Sequence, residues 1–113
     1  MKVAIVGSRT IEDVDIGRYL NDNCTVIISG RAKGIDSCAA KYANKNQIPL
    51  VEILPEYDKY GKAAPIKRNE IIVNMADEVL VFWDGRSKGT LSVIKYCQKT
   101  DKPHIIINIT TSI

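Results

Sequence analysis

Along this chain, short apolar runs alternate with stretches in which apolar side chains recur at helical spacing. Five such runs, each bounded by turn residues, cover residues 3–6, 25–28, 50–54, 78–83 and 104–109. Most are continuous rather than alternating and are rich in Val and Ile. A strand with one wet face alternates, whereas a strand covered on both faces does not, so these runs predict a parallel sheet. Helical patterns fill the intervals. Residues 11–21 place Val14, Ile16, Tyr19 and Leu20 behind Thr10-Ile11-Glu12-Asp13, which reads as a capping box. Residues 36–46 carry Cys38, Ala39, Ala40, Tyr42 and Ala43, a short-side-chain face suited to close packing on a sheet. Residues 66–75 follow Pro65, and residues 90–100 end shortly before Pro103.

Strand and helix alternate throughout, which with right-handed crossovers gives a doubly wound α/β fold. The expected architecture is a Rossmann-like three-layer sandwich whose mostly parallel five-stranded sheet has the order 3-2-1-4-5. All 113 residues fit one domain, residues 1–113. The only long irregular segment is 55–64, and a loop of that length in a small domain is more often functional than decorative.

Composition narrows the function classes. A net charge of +3 is too mild for nucleic-acid binding by bulk attraction, so nucleic acid is not the expected partner. Cys24, Cys38 and Cys97 have no C-x-x-C or metal-ligand spacing and read as free thiols of a reducing compartment. No apolar run approaches the length of a membrane span, and the opening Met-Lys-Val-Ala-Ile-Val-Gly reads as a strand rather than a secretory leader. The expectation is a cytoplasmic protein with no membrane contact.

Ligands of such sheets bind at the carboxyl ends of the strands. Three Gly-rich turns fall at that edge: Gly7-Ser8-Arg9-Thr10, Ser29-Gly30-Arg31-Ala32-Lys33-Gly34 and Asp84-Gly85-Arg86-Ser87-Lys88-Gly89-Thr90. Glycine permits close approach of backbone to an anion, and each following helix offers unpaired N–H groups and the positive end of its dipole. Ser8, Ser29, Ser87 and Thr90 add hydroxyls, while Arg9, Arg31, Lys33, Arg86 and Lys88 add charge. One such turn is an ordinary connector. Three at one edge point to an anion site. Neither a Walker A motif nor a G-x-G-x-x-G fingerprint is present. Arg68 and Asn69 lie early in a helix, where a cation opposes the dipole, so Arg68 either meets a ligand anion or pairs with Glu70 or Asp77. Trp83, at the end of its strand, is either a core aromatic or a platform for a base. His104 starts its strand at the opposite edge and reads as structural.

Taken together, Val6-Gly7-Ser8-Arg9, Ser29 to Asp36, Ile66-Lys67-Arg68-Asn69 and Ala76-Asp77 through Thr90 resemble the SLOG superfamily. That superfamily is named for the DNA-processing protein DprA (Smf) and the LOG cytokinin-activating enzymes. The likeness is greatest to its short YspA-like branch and runs from Lys2 to about Ile109. The resemblance implies a Rossmann-like fold that binds nucleotides or their derivatives. It places Gly7, Ser8, Arg9, the turn Ser29 to Gly34, Arg68, Asn69, Gly89 and Thr90 around the ligand. LOG-type phosphoribohydrolases carry a catalytic Glu just after the Gly-Thr turn, whereas here Leu91-Ser92-Val93 follows.

The leading expectation is therefore a domain that binds or senses a nucleotide or nucleotide-derived phosphate ligand. Its site comprises Gly7, Ser8, Arg9, Ser29, Gly30, Arg31, Lys33, Gly34, Arg68, Asn69, Trp83, Asp84, Ser87, Gly89 and Thr90. The alternative is a LOG-like nucleotide hydrolase with Asp36 or Asp84 as its carboxylate. DprA-like DNA binding stands third. No metal site is expected, although a bound phosphate could bring Mg²⁺ with it. A homodimer through helix faces is an implication of the resemblance alone.

Overall fold

In the computed structural model, which describes residues 1–109, every apolar run becomes a strand. These are β1 (Lys2–Gly7), β2 (Val26–Ser29), β3 (Leu50–Glu52), β4 (Glu78–Trp83) and β5 (His104–Asn108). Four helices connect them: α1 (Ile35–Lys45), α2 (Tyr57–Tyr60), α3 (Ala64–Met75) and α4 (Lys88–Lys99). The sheet order is β3-β2-β1-β4-β5 and every pairing is parallel, as the pattern predicts. The β1–β4 register runs from Val3 opposite Glu78 to Gly7 opposite Phe82, so both strands end together at the carboxyl edge.

Burial on both faces explains the unbroken apolar runs. On one face Val3, Ile5, Ile27, Leu80 and Phe82 pack against Ile35, Cys38, Ala39 and Ala43 of α1. On the other, Ala4, Val6, Ile28, Val79 and Val81 meet Ile72 and Val73 of α3 and Val93, Ile94 and Cys97 of α4. Each buried Val, Ile or Leu contributes roughly 1.5–3 kcal/mol relative to its exposed state. The small residues of α1 let it sit close to β1 and β2, the two strands it contacts most. The thiols of Cys24, Cys38 and Cys97 are free, and burial raises the pKa of Cys24 and Cys97 above the ordinary thiol value.

Two elements depart from the pattern. The helix expected over 11–21 is absent, and only a single 3₁₀ turn, Ile16–Arg18, forms there. The hydroxyl of Thr10, the expected cap, donates instead to Asp84 Oδ2 at 2.7 Å. Ile11 and Ile16 are both buried in the α1-side core, and Tyr19 meets Phe82 edge-on at 5.5 Å between ring centroids. Packing thus overrides a weak helix signal that already contains Gly17 and several β-branched residues. A Cβ at Gly17 would lie 2.9 Å from the Tyr42 ring, so a larger residue there would make that ring shift. The segment 55–64 is also more ordered than its sequence suggests, with α2 and a 3₁₀ turn at Gly61–Ala63 leading directly into α3.

The tightest joint lies where β1 leaves the sheet. A Cβ on Gly7 would stand 2.6 Å from both Ile35 Cγ1 and the Phe82 carbonyl oxygen. Gly34 has a φ of +74°, and a Cβ there would lie 2.6–2.7 Å from the backbone of Ser8 and Arg9. These glycines hold the turn after β1 against the start of α1. A Gly7→Ala substitution should cost about 1–3 kcal/mol, the usual range for overpacking. Gly89→Ala, with open space around its Cβ, should instead be neutral or stabilising by up to about 1 kcal/mol. Urea unfolding of both variants measures the contrast.

Candidate functional site

The three Gly-rich turns and the start of α3 enclose a cleft of about 470 Å³ at the carboxyl edge. Its apolar floor is Val6, Ile72 and Val93, and Pro65 forms part of the wall. Its polar lining includes Arg9, Thr10, Asp36, Arg68, Asn69, Asp84, Arg86, Ser87 and Thr90. Gly7, Gly30 and Gly89 supply bare backbone. A smaller recess of about 180 Å³ lies between α3 and α4, lined by Ile66, Tyr96 and Lys99 among others; it shares Asn69 and Val93 with the cleft, and no residue of the three turns lines it.

Ser8 ties two of the turns together from behind. It is 1% exposed, and its backbone N–H donates to the Phe82 carbonyl at 3.0 Å. Its hydroxyl oxygen accepts from the Asp84 N–H at 3.1 Å and lies 3.4 Å from Thr90 Oγ1. The Thr90 hydroxyl donates to Ser87 Oγ at 3.0 Å, so the proton between Ser8 and Thr90 belongs to Ser8. Ser87 caps α4 by accepting from the Thr90 N–H.

Both candidate carboxylates act as braces within their own turns. Asp36, in the first turn of α1, accepts from the Ser29 hydroxyl at 3.0 Å and from the Ala32 N–H at 3.1 Å. Burial pushes its pKa up, against the pull of those two bonds and of the Arg68 charge. Asp84 accepts from the Thr10 hydroxyl at 2.7 Å and from the N–H groups of Arg86 and Ser87, each at 2.8 Å. Those donors, Thr10 first, hold its pKa down at about 2. At neutral pH it is therefore an anion and a weak base, which suits its place as a brace of the turn.

Arg68 pairs with neither carboxylate weighed for it in the sequence. Glu70 lies 3.9 Å from Lys67, and Asp77 accepts from the Lys2 N–H. Arg68 is instead 8% exposed, with Nε donating to Asn69 Oδ1 at 2.8 Å and Nη1 reaching the Ile53 carbonyl at 3.5 Å. Its guanidinium lies under Gly30 beside Asp36: a Cβ at Gly30 would be 2.7 Å from Arg68 Nη1 and 2.9 Å from Asp36 Oδ2. The glycine therefore leaves a slot through which the buried charge faces the cleft.

Of the residues singled out in the sequence, Gly7, Arg9, Gly30, Asp36, Arg68, Asn69, Asp84, Ser87, Gly89 and Thr90 converge on the cleft. Ser8 and Ser29 lie buried behind it. Arg31 and Lys33 are exposed and Gly34 is half-buried, and all three lie outside its lining. Trp83 is half-buried against the α3–α4 core, and its indole N–H donates to the Ser87 carbonyl at 3.1 Å. Thr10, Ala32 and Arg86 join the lining from within the same turns, so turn membership was their signal. The floor residues Val6, Ile72 and Val93 carry no such signal, because they read as ordinary core. Among the described residues, no three His, Cys, Asp or Glu side chains group as metal ligands. No helix is long and apolar enough to cross a membrane.

The depressed pKa of Asp84 has a testable sign. Its folded value lies below the ordinary 3.8, so its stabilising contribution is complete above that value and fades as pH falls toward about 2. Asp84→Asn should therefore be less stable than the wild type at neutral pH. The difference in urea midpoint between the two should shrink as the pH drops through that window.

No curated protein and no solved structure matches this chain. The pattern of one protein family, DNA recombination-mediator protein A, matches residues 1–60, just over half of the 113. The match spans β1, β2, α1 and β3, and with them the first two Gly-rich turns of the cleft. Together with the parallel 3-2-1-4-5 sheet, it shows that the chain belongs to the DNA recombination-mediator protein A family, within the SLOG-related proteins.

Proposed function

We propose that the cleft binds a nucleotide or nucleotide-derived ligand through its phosphate. The observation that carries this reading is the division of labour among its charges. Asp36 and Asp84 accept hydrogen bonds from their own turns, while Arg9, Arg68 and Arg86 line the same space. The starts of α1 and α4 adjoin it and add the positive ends of two helix dipoles. A cleft of about 470 Å³ suits one nucleotide, with Val6, Ile72 and Val93 as apolar floor. Any Mg²⁺ would enter on the ligand's phosphate. Three free thiols accord with a reducing, cytoplasmic setting. The likeness to the YspA-like branch belongs to the same proposal.

Binding without turnover is the form best supported. Hydrolysis of a glycosidic bond needs a carboxylate free to position water or steady an oxocarbenium-like centre. Asp84 is pinned by three donors and Asp36 by two. A second reading, contact with single-stranded DNA, draws on the family match. In that case the cleft would take a single nucleotide of the strand, and affinity would fall steeply with salt.

Calorimetric titration with AMP tests the reading. Gly89 is the second residue of α4 and has open space around it, so Gly89→Asp should fold normally while placing a carboxylate at the phosphate position. Binding should weaken tenfold or more, equivalent to about 1.4 kcal/mol. Unchanged affinity in the variant would remove the phosphate from this position. Competition by oligo-dT would favour the strand reading, and release of adenine would restore the hydrolase.

A further inference from the structure

Arginine is distributed unevenly in this chain. Four of its five arginines fall at the carboxyl edge: Arg9, Arg31 and Arg86 in the three Gly-rich turns, and Arg68 under Gly30. Only Arg18 lies elsewhere. Just two of the eleven lysines, Lys33 and Lys88, belong to the same turns. A guanidinium grips phosphate oxygens in pairs through its planar fork, which an ammonium cannot do. Apart from these six cations, and Asp36 and Asp84 beside them, the chain holds ten cations against eleven carboxylates. Its net charge of +3 therefore resides at this one edge.

The five cations other than Arg68 form the rim of the cleft. Arg9 and Arg86 are in its lining; Arg31 and Lys33 flank Ala32, and Lys88 stands between Ser87 and Gly89, which line it too. A Cβ on Gly34 would lie 2.7 Å from Arg9 Cα, so the turn that carries Lys33 touches the one that carries Arg9. All five are exposed, and the one ion pair among the described residues, Lys67 with Glu70, involves none of them. Asp36 and Asp84 are already engaged by their own turns. Lys33 and Lys88 also adjoin the starts of α1 and α4, where the helix dipole disfavours a cation. Like charges gathered in this way repel one another in the free protein. A phosphate monoester brings at most about two negative charges, which Arg68 and the two helix starts already meet.

Building on the phosphate reading of the cleft, we propose that its ligand is a nucleotide bearing a chain of phosphates, of the nucleoside triphosphate class. Arg31 and Lys33 hold the outer phosphates at the mouth. The inner phosphate lies over the Gly30 slot, where the Arg68 guanidinium faces the cleft. From there the chain runs outward past Ala32, with Arg9 and Arg86 in the wall and Arg31 and Lys33 at the rim. Neutralising the rim removes its self-repulsion, so each added phosphate strengthens binding. The rim groups are exposed, and salt screens their attraction more than that of buried Arg68.

Calorimetric titration of the full chain with AMP and with ATP, at low ionic strength and without divalent cations, tests the assignment. ATP should bind the wild type about tenfold or more tightly than AMP, the low end for hydrogen bonds between charged groups. Arg31→Gln/Lys33→Gln should lose most of that ratio, with thermal melting to check that the exposed substitutions leave the fold intact. Lys41→Gln/Lys45→Gln removes the same charge from exposed positions in the second half of α1, outside the cleft, and should keep the ratio. Equal affinities for AMP and ATP in the wild type would overturn the phosphate chain and leave the phosphate reading of the cleft standing. A ratio that survives Arg31→Gln/Lys33→Gln, or that falls as far in Lys41→Gln/Lys45→Gln, would overturn its placement. Displacement of ATP by oligo-dT at concentrations below those ATP itself requires would reassign the rim to a nucleic-acid strand. Binding of neither nucleotide would remove the underlying reading, and the phosphate chain with it.

Discussion

The carboxyl edge of this molecule depends on one buried side chain, Ser8. It sits where β1 must leave the sheet: its hydroxyl meets the Asp84 N–H and the Thr90 hydroxyl while the backbone N–H of the same residue donates to the Phe82 carbonyl. Those contacts join the first and third Gly-rich turns from behind. They require the backbone of β1 to come within van der Waals reach of α1, which only Gly7 and Gly34 allow. A buried hydroxyl without partners would cost about 1–3 kcal/mol, so the network is stable only when complete. The cleft is thus a consequence of sheet topology plus two obligatory glycines.

Within that frame the charges separate by role. A carboxylate facing a bound phosphate would repel it, yet Asp36 and Asp84 both border the cleft. Their oxygens accept hydrogen bonds from Ser29, Ala32, Thr10, Arg86 and Ser87, and this local use of negative charge shapes the turns. Arg68 is the counterweight. It is almost fully buried, anchored at Nε by Asn69, and separated from open solvent by a glycine rather than a side chain. Holding a cation this way is costly unless an anion shares the site, since desolvation opposes the charged form, and Asp36 beside the guanidinium supplies one such charge.

Much of this was legible in the sequence. Continuous Val and Ile runs gave all five strands, their parallel sense and their order, because burial on both faces leaves no alternation to read. The three turns were visible as glycine with hydroxyl and cationic neighbours. What failed to show were features decided by distant contacts. The segment 11–21 has apolar spacing and a plausible cap, yet Thr10 bonds to Asp84 and Ile11 and Ile16 enter the core, leaving one 3₁₀ turn. Ser8 and Ser29 read as ligand donors, and only the fold shows their hydroxyls committed to neighbouring turns. Trp83 was visible as an aromatic at a strand end, but its direction, toward α4 and Ser87, depends on packing. Nor does one sequence distinguish floor residues such as Ile72 and Val93 from the rest of the core.

The central claim is that this cleft, and no other surface, receives the phosphate. Amide chemical-shift mapping of the isotopically labelled protein during titration with AMP tests it most directly. The account predicts that the largest shifts fall on Arg9, Gly30, Ala32, Gly89 and Thr90, with β5 and the α3–α4 recess unmoved. Shifts centred on Tyr96 and Lys99, or none at saturating ligand, would contradict it.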